Sequence, residues 1–177
     1  IYGYNWRNYN GTTDQIQEAL NQLTNNPNSR RILVNTWNPS ELNEQALPPC
    51  HYSFQFYSHK ENGENKLSLI WNQRSVDVGL GLPYNIASYA IILEIFCRLS
   101  NHTPHELIGN LGDTHIYENH IEGLTKQLQN EPIKVQSTLN INTNMWSTNQ
   151  ETNLQAIQKN FFQKLHKEPT TILNSFK

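Results

Sequence analysis

Apolar positions along the chain change period several times, and each change marks an element. Ile16, Leu20 and Leu23 share one side of a helical period, which predicts a helix over residues 14–23. Asn25-Asn26-Pro27-Asn28 breaks it, and Ile32-Leu33-Val34 reads as a short strand entered through Arg30 and Arg31. Residues 37–43 read as a loop. Residues 51–57 alternate polar and aromatic side chains, a strand with two distinct faces. A turn over residues 59–65, containing Gly63, leads to a return strand over 67–71. Residues 77–83 form a loop, with Pro83 suited to a first helical position. Residues 86–99 are apolar nearly all round, the signature of a helix inside a core. A strand over 106–108, a turn at 112–114, a helix over 115–129, a strand over 135–141 and an amphipathic helix over 153–165 complete the series. Segregated hairpins and helices predict an α+β fold, a mixed sheet packed on a long buried central helix.

Composition narrows the picture. The chain has 177 residues, enough for a single domain over 1–177. Net charge is −2 with 16% charged residues, which argues against nucleic acid as a partner and requires any bound anion to be held by a few placed cations. Cys50 and Cys97 are the two cysteines; with no CxxC pair, neither a disulfide scaffold nor a metal site is expected. No apolar run was expected to reach membrane-spanning length, so a soluble, cytoplasmic protein without a membrane partner is the expectation.

Several residues carry candidate chemistry. Cys50 follows Pro48-Pro49 on a rigid turn, where the adjacent His51 or a nearby arginine can favour the thiolate. The competing reading is a buried structural thiol, which is also the reading for Cys97. Arg74-Ser75, at a strand end, offers a guanidinium fork and a hydroxyl to a phosphate; alternatively Arg74 pairs with Asp77. Asn85 stands at an expected helix start, where it is either a cap or a reader of a pyrimidine edge. His115 and Tyr117, two residues apart, can reach one small ligand.

Taken in order, these segments resemble one family. Tyr2-Gly3-Tyr4-Asn5-Trp6-Arg7, Asn28-Ser29-Arg30-Arg31, Pro49-Cys50-His51 with Gln55-Phe56-Tyr57, Gln73-Arg74-Ser75-Val76-Asp77, Gly81-Leu82-Pro83-Tyr84-Asn85-Ile86-Ala87 and Gly112-Asp113-Thr114-His115-Ile116-Tyr117 are similar to the thymidylate synthases. The resemblance runs from Ile1 to about Ile141, and residues 142–177 diverge. It implies that Cys50 adds to C6 of dUMP, and that the activated C5 then attacks the methylene of 5,10-methylenetetrahydrofolate, the co-substrate. It implies that Arg74, Ser75 and Val76 hold the phosphate side of the nucleotide, that Asn85 reads uracil, and that His115, Ile116 and Tyr117 meet the sugar. His51 and Gln55 match the hydrogen-bonded surroundings of the nucleophile. Asp77, Trp6 and Leu80 match the folate pocket, with no metal. Arg30 and Arg31 match a pair that reaches the partner's phosphate in a sheet-to-sheet homodimer.

The chain also departs from that pattern. The family's phosphate-binding arginine and its proton-transferring glutamate, both N-terminal, have no counterpart in these residues. A Gly-Gly pair before the Asp-Thr-His run is Leu111-Gly112 here. Two further readings remain: a uracil-specific pyrimidine hydroxymethylase of the same superfamily, with water replacing hydride as final acceptor, and a non-catalytic nucleotide-binding homologue.

Overall fold

In the computed structural model, residues 1–134 and Leu139 are described. The chain divides into a unit spanning Ile1–Ile133 and a second spanning Lys134–Lys177. The strand expected over 135–141 and the helix expected over 153–165 lie outside the described residues, apart from Leu139.

The first unit carries α1 (Tyr2–Arg7), α2 (Gln15–Asn25), β1 (Leu33–Asn35), a 3₁₀ turn (Pro39–Glu44), β2 (His51–Glu61), β3 (Glu64–Asp77), α3 (Gly81–Ser100), β4 (Thr103–His115), a second 3₁₀ turn (Glu118–His120) and α4 (Ile121–Gln127). Helix α2 starts because the Asp14 side chain accepts from the Gln17 N–H at 3.0 Å, and it buries Ala19, Leu20 and Leu23. The four strands lie in the order β1-β2-β3-β4. The first two pairings are antiparallel, and β3 pairs with β4 in parallel, which requires α3 as the crossover. This is the expected α+β class with a mixed sheet.

The β2–β3 hairpin is tighter than expected. Its strands run to Glu61 and from Glu64, leaving Asn62-Gly63 as the turn. Both have positive φ, 51° and 84°, the geometry that matches strand twist and that asparagine and glycine tolerate best.

One face of the sheet packs on α3. Phe54 and Phe56 on β2, with Leu67, Leu69 and Trp71 on β3, are buried. They meet Tyr89 and Phe96: Trp71 stacks on Tyr89 at 5.4 Å, and Phe56 lies 4.4 Å from Phe96 between ring centroids. Each such buried aromatic contributes roughly 2–3 kcal/mol through lost apolar surface.

The helix itself departs from expectation in three ways. It begins at Gly81, so Pro83 is its third residue; the first-turn N–H that proline lacks would have no partner within the helix anyway. It reaches 20 residues and is apolar enough by composition to cross a bilayer, contrary to the sequence expectation. It is also not buried all round. Tyr89, Leu93, Phe96, Cys97 and Ser100 form the buried stripe that packs on the sheet, while Ile86 is 44% exposed.

Residues 112–114 are not a turn. They continue β4, with Asp113 opposite Ser75 and Thr114 opposite Val76. The helix expected from residue 115 therefore starts only at Ile121. The opposite face of the sheet carries a polar ladder: Asn110 donates to Asn72 at 2.9 Å, and Asn72 donates to Ser53 at 3.0 Å.

Candidate functional site

Cys50 stands at the mouth of β2, half-buried, on a loop fixed from three sides. Its N–H donates to the Tyr2 hydroxyl at 2.9 Å. Its carbonyl accepts from the Arg74 N–H at 2.8 Å. The Arg74 side chain donates from Nε to the Pro49 carbonyl and from Nη2 to the Pro48 carbonyl, both at 3.0 Å. Its guanidinium also lies 5.7 Å from the Trp37 ring centre. A guanidinium only donates, so the two proline carbonyls are natural partners for it. Arg74 thus fixes the Cys50 loop while retaining further N–H donors for a ligand. It does not form the ion pair with Asp77 that the sequence left open: among the described residues, the groups it holds are these carbonyls and the Trp37 face.

A bulge decides where His51 goes. His51 pairs with Gln73, but Ser53 already pairs with Asn72, so Tyr52 is the extra residue. The bulge turns His51 onto the α3 side, where strict alternation would have grouped it with Gln55. There its ring stacks on Tyr2 at 3.8 Å and 6°, and its Nδ1 shares a 2.7 Å hydrogen bond with the Tyr89 hydroxyl. Gln55 stays on the opposite face, level with Leu33 and Ile70, about 16 Å along β2 from Cys50. The bulge thus puts His51 on the α3 side, against Tyr2 and Tyr89, and leaves Gln55 on the other face.

Burial pushes the His51 imidazole down to about 4. It is neutral at physiological pH and cannot supply the positive charge for a Cys50 thiolate that the sequence reading allowed. Among the side chains that hold the Cys50 loop, the cation is Arg74. The depressed pKa also sets a pH dependence. Above the unfolded value near 6.5, His51 is neutral in both states. As pH falls from there towards 4, the unfolded chain takes up a proton that the folded site refuses, and stability declines by at most about 1.4 kcal/mol per pH unit from this group. Imidazole signals followed by NMR should show His51 still neutral at pH 5; a midpoint near 6.5 would contradict the buried geometry.

Asn85 is the fifth residue of α3, not its cap. Its Oδ1 accepts from the Gln73 side chain at 3.0 Å, while Gln73 accepts from the Trp71 indole N–H at 3.1 Å and donates to the Ser75 carbonyl at 3.0 Å. Gln73 therefore fixes the orientation of the Asn85 amide and ties it to the Arg74-Ser75 strand end. The Val76 side chain is fully buried, so Val76 can meet a ligand only through its backbone. Gly112 lies across from Arg74, where a Cβ would sit 2.8 Å from the Arg74 carbonyl oxygen; any other residue would push β4 off this strand end.

His115 holds Asp113 at 2.9 Å and meets the Tyr117 ring edge-on at 5.1 Å. Ile116 and Tyr117 are exposed. Asp77 accepts from the Gly79 and Leu80 N–H groups at 3.1 and 3.4 Å. Those two residues line an open cavity of about 250 Å³ with Asn119, His120, Gly123 and Leu124. The His120 Nδ1 is buried without a hydrogen bond among the described residues, and lies 3.7 Å from Asp77, too long for one. Trp6 is elsewhere: its indole donates to Thr36 at 2.7 Å and its ring meets Phe54 edge-on. The geometry joins Asp77 to Leu80, which lines that cavity, and does not seat Trp6 there.

Arg30 and Arg31 are exposed. The Ile32 carbonyl accepts from the Phe56 N–H at 2.9 Å, so the pair stands beyond Phe56, about 20 Å along β2 from Cys50. They do not reach the Cys50 of their own chain.

Sequence reading gave no role to Tyr2, Gln73 or His120. Tyr2 and Gln73 lay within recognised segments, but their signal is a partner far along the chain. His120 carried only a helical-register signal.

A family model described as thymidylate synthase matches residues 1–167, extending past the Ile141 limit of the motif resemblance. The chain is similar to the thymidylate synthase of Aster yellows witches'-broom phytoplasma (strain AYWB), 50% identical over 135 residues, covering 76% of this chain and 45% of the relative. It is also 50% identical over 128 residues to the thymidylate synthase of Mycoplasma genitalium, covering 72% and 43%. The probable thymidylate synthase of Escherichia phage T5 is 49% identical over 132 residues, covering 75% and 46%. The chain spans about half the length of the curated relatives it matches.

Proposed function

The chain belongs to the thymidylate synthase family, and from that membership we propose that it carries the nucleotide site and the nucleophile of an enzyme converting dUMP to dTMP with 5,10-methylenetetrahydrofolate. The observation that carries this reading is the Cys50 loop, held by Tyr2 and Arg74 beside the strand end that presents Ser75 and, through Gln73, orients Asn85 of α3.

The Cys50 thiolate adds to C6 of uracil, and the electron pair moves to C5, with the C4 oxygen taking the charge. Arg74 and Ser75 hold the phosphate, and the oriented Asn85 amide pairs with O4 and N3–H. Asn85 in this role favours uracil over cytosine. His115 and Tyr117 take the deoxyribose hydroxyl. C5 attacks the methylene of methylenetetrahydrofolate and then loses its proton; the bond from that carbon to the folate nitrogen breaks, and hydride from the folate completes the methyl group, leaving dihydrofolate. Asp77 and Leu80 are suited to the folate ring, offering a carboxylate for N–H groups and an apolar wall. Release of the thiolate returns Cys50 and frees dTMP.

The polar face of the sheet at its Cys50 end, around the Ser53-Asn72-Asn110 ladder, is the surface for a homodimer in this reading. The distance of Arg30 and Arg31 from their own Cys50 supports their serving the partner's phosphate.

Incubating the purified protein with dUMP and methylenetetrahydrofolate should give a product in which a methyl group replaces the C5 hydrogen, a net gain of one CH2 in mass. A hydroxymethyl product would replace the synthase reading with the hydroxymethylase one. With 5-fluoro-dUMP, whose fluorine cannot leave C5 as a proton does, a covalent ternary adduct should form. A folded protein that forms neither product nor adduct would sink both enzymatic readings.

A further inference from the structure

At the far end of the sheet from Cys50, three potential metal ligands converge. His59 and Glu61 are two residues apart on β2 and share one face. His105 comes from β4, two strands away. Adjacent strands lie about 4.8 Å apart, so the backbones of β2 and β4 are separated by roughly twice that. Even so, one ligand atom from each of His59, Glu61 and His105 lies within 4.8 Å of the other two. The two rings meet edge-to-face with centroids 4.9 Å apart.

Two local features bring them together. Strand β4 has an extra residue where it spans Pro104 to Leu107 against Leu67 to Leu69, and His105 sits in that irregularity. The intervening strand contributes the small, buried Ser68 opposite Tyr57, so long side chains can lean across it. Tyr57 stacks on the His59 ring at 5.4 Å and 18°, limiting its rotation. The nearest cation on this face, Lys66, is bound to Glu64 at 2.6 Å, which balances its charge.

The His59 Nδ1 is buried and has no hydrogen-bond partner among the described residues. A buried ring nitrogen without a partner is destabilising, and a ligand that engages that nitrogen relieves the deficit. We propose that His59, Glu61 and His105 form a binding site for one divalent transition-metal ion of the zinc type, clasping β2 to β4 across β3. Two imidazoles and one carboxylate suit zinc rather than magnesium or calcium, and water fills the fourth position. Tetrahedral ligands at about 2.05 Å stand about 3.3 Å apart, so the cluster must tighten. The exposed Glu61 and His105 side chains have room to do so.

Zinc chloride is the probe, titrated calorimetrically into metal-free protein carrying Cys50→Ser, which removes the half-exposed thiol as a competing ligand. One zinc ion per chain is expected. His105→Ala, a change at an exposed position, should weaken binding by about tenfold or more, as should Glu61→Gln. Zinc should shift the ring signals of His59 and His105 in the NMR spectrum while leaving those of His102 in place. Unchanged zinc affinity in a folded His105→Ala protein, or no zinc bound by the Cys50→Ser protein, would overturn the site. None of these readouts depends on nucleotide chemistry.

Discussion

Cys50→Ser should abolish dTMP formation, by at least about 10⁴-fold, and remove the 5-fluoro-dUMP adduct altogether. A serine hydroxyl ionises far less readily than a thiol, and the neighbouring His51 is a poor base for it, because burial holds its imidazole at about 4 and its Nδ1 is engaged with the Tyr89 hydroxyl. Loss of a nucleophile in enzymes of this kind of covalent chemistry costs on the order of 10⁴ to 10⁶ in rate. Nucleotide affinity should change only a few-fold, since Arg74, Ser75 and Asn85 are untouched. The other thiol cannot substitute. Cys97 lies in the buried stripe of α3, and burial, reinforced by the charge of Glu94, pushes it up to about 12, leaving it protonated at neutral pH. Mass spectrometry of protein incubated with 5-fluoro-dUMP and methylenetetrahydrofolate reads the outcome. A persisting adduct would move the nucleophile away from Cys50.

The parts of this site that sequence made legible are those in which the signal is local. Proline before Cys50, arginine at a strand end and Asp14 ahead of an apolar period all act on residues a few positions away. What escaped depended on pairing. Residues 112–114 resemble a turn by composition, but their parallel partner is β3, nearly forty residues earlier, and the ladder overrides local preference. The bulge at Tyr52 is invisible in an alternating pattern, yet it decides that His51 turns to the α3 side while Gln55 stays on the other face. Pro83 suits a first helical position but does not mark the start of α3, because a proline anywhere in the first turn forfeits no helical bond. Helix α3 reads as apolar all round, but the described residues bury only the stripe facing the sheet. His59 and His105 are separated by more than forty residues and meet only because β4 returns parallel to β3.

The same dependence on long-range pairing makes Arg74 the second decisive residue. Arg74→Ala should lower kcat/KM for dUMP by about 10⁴-fold, and Arg74→Lys by about 10²-fold. Each charge-assisted hydrogen bond from the guanidinium contributes about 1.5–3 kcal/mol, or roughly one to two powers of ten. Alanine removes the bonds to both Pro48 and Pro49 as well as the charge available to a phosphate. Lysine keeps a charge but not the planar fork, so it can hold one carbonyl or a phosphate oxygen but cannot reproduce the set. The two roles separate by substrate. Loop fixation affects dUMP and deoxyuridine alike, because both need a placed Cys50. The phosphate grip affects dUMP alone. The preference for dUMP over deoxyuridine should therefore shrink in Arg74→Ala by more than tenfold, on top of a loss common to both. If the preference is unchanged while both rates fall together, Arg74 acts only on the loop, and the phosphate must be held by Ser75 and by cations from outside this strand end.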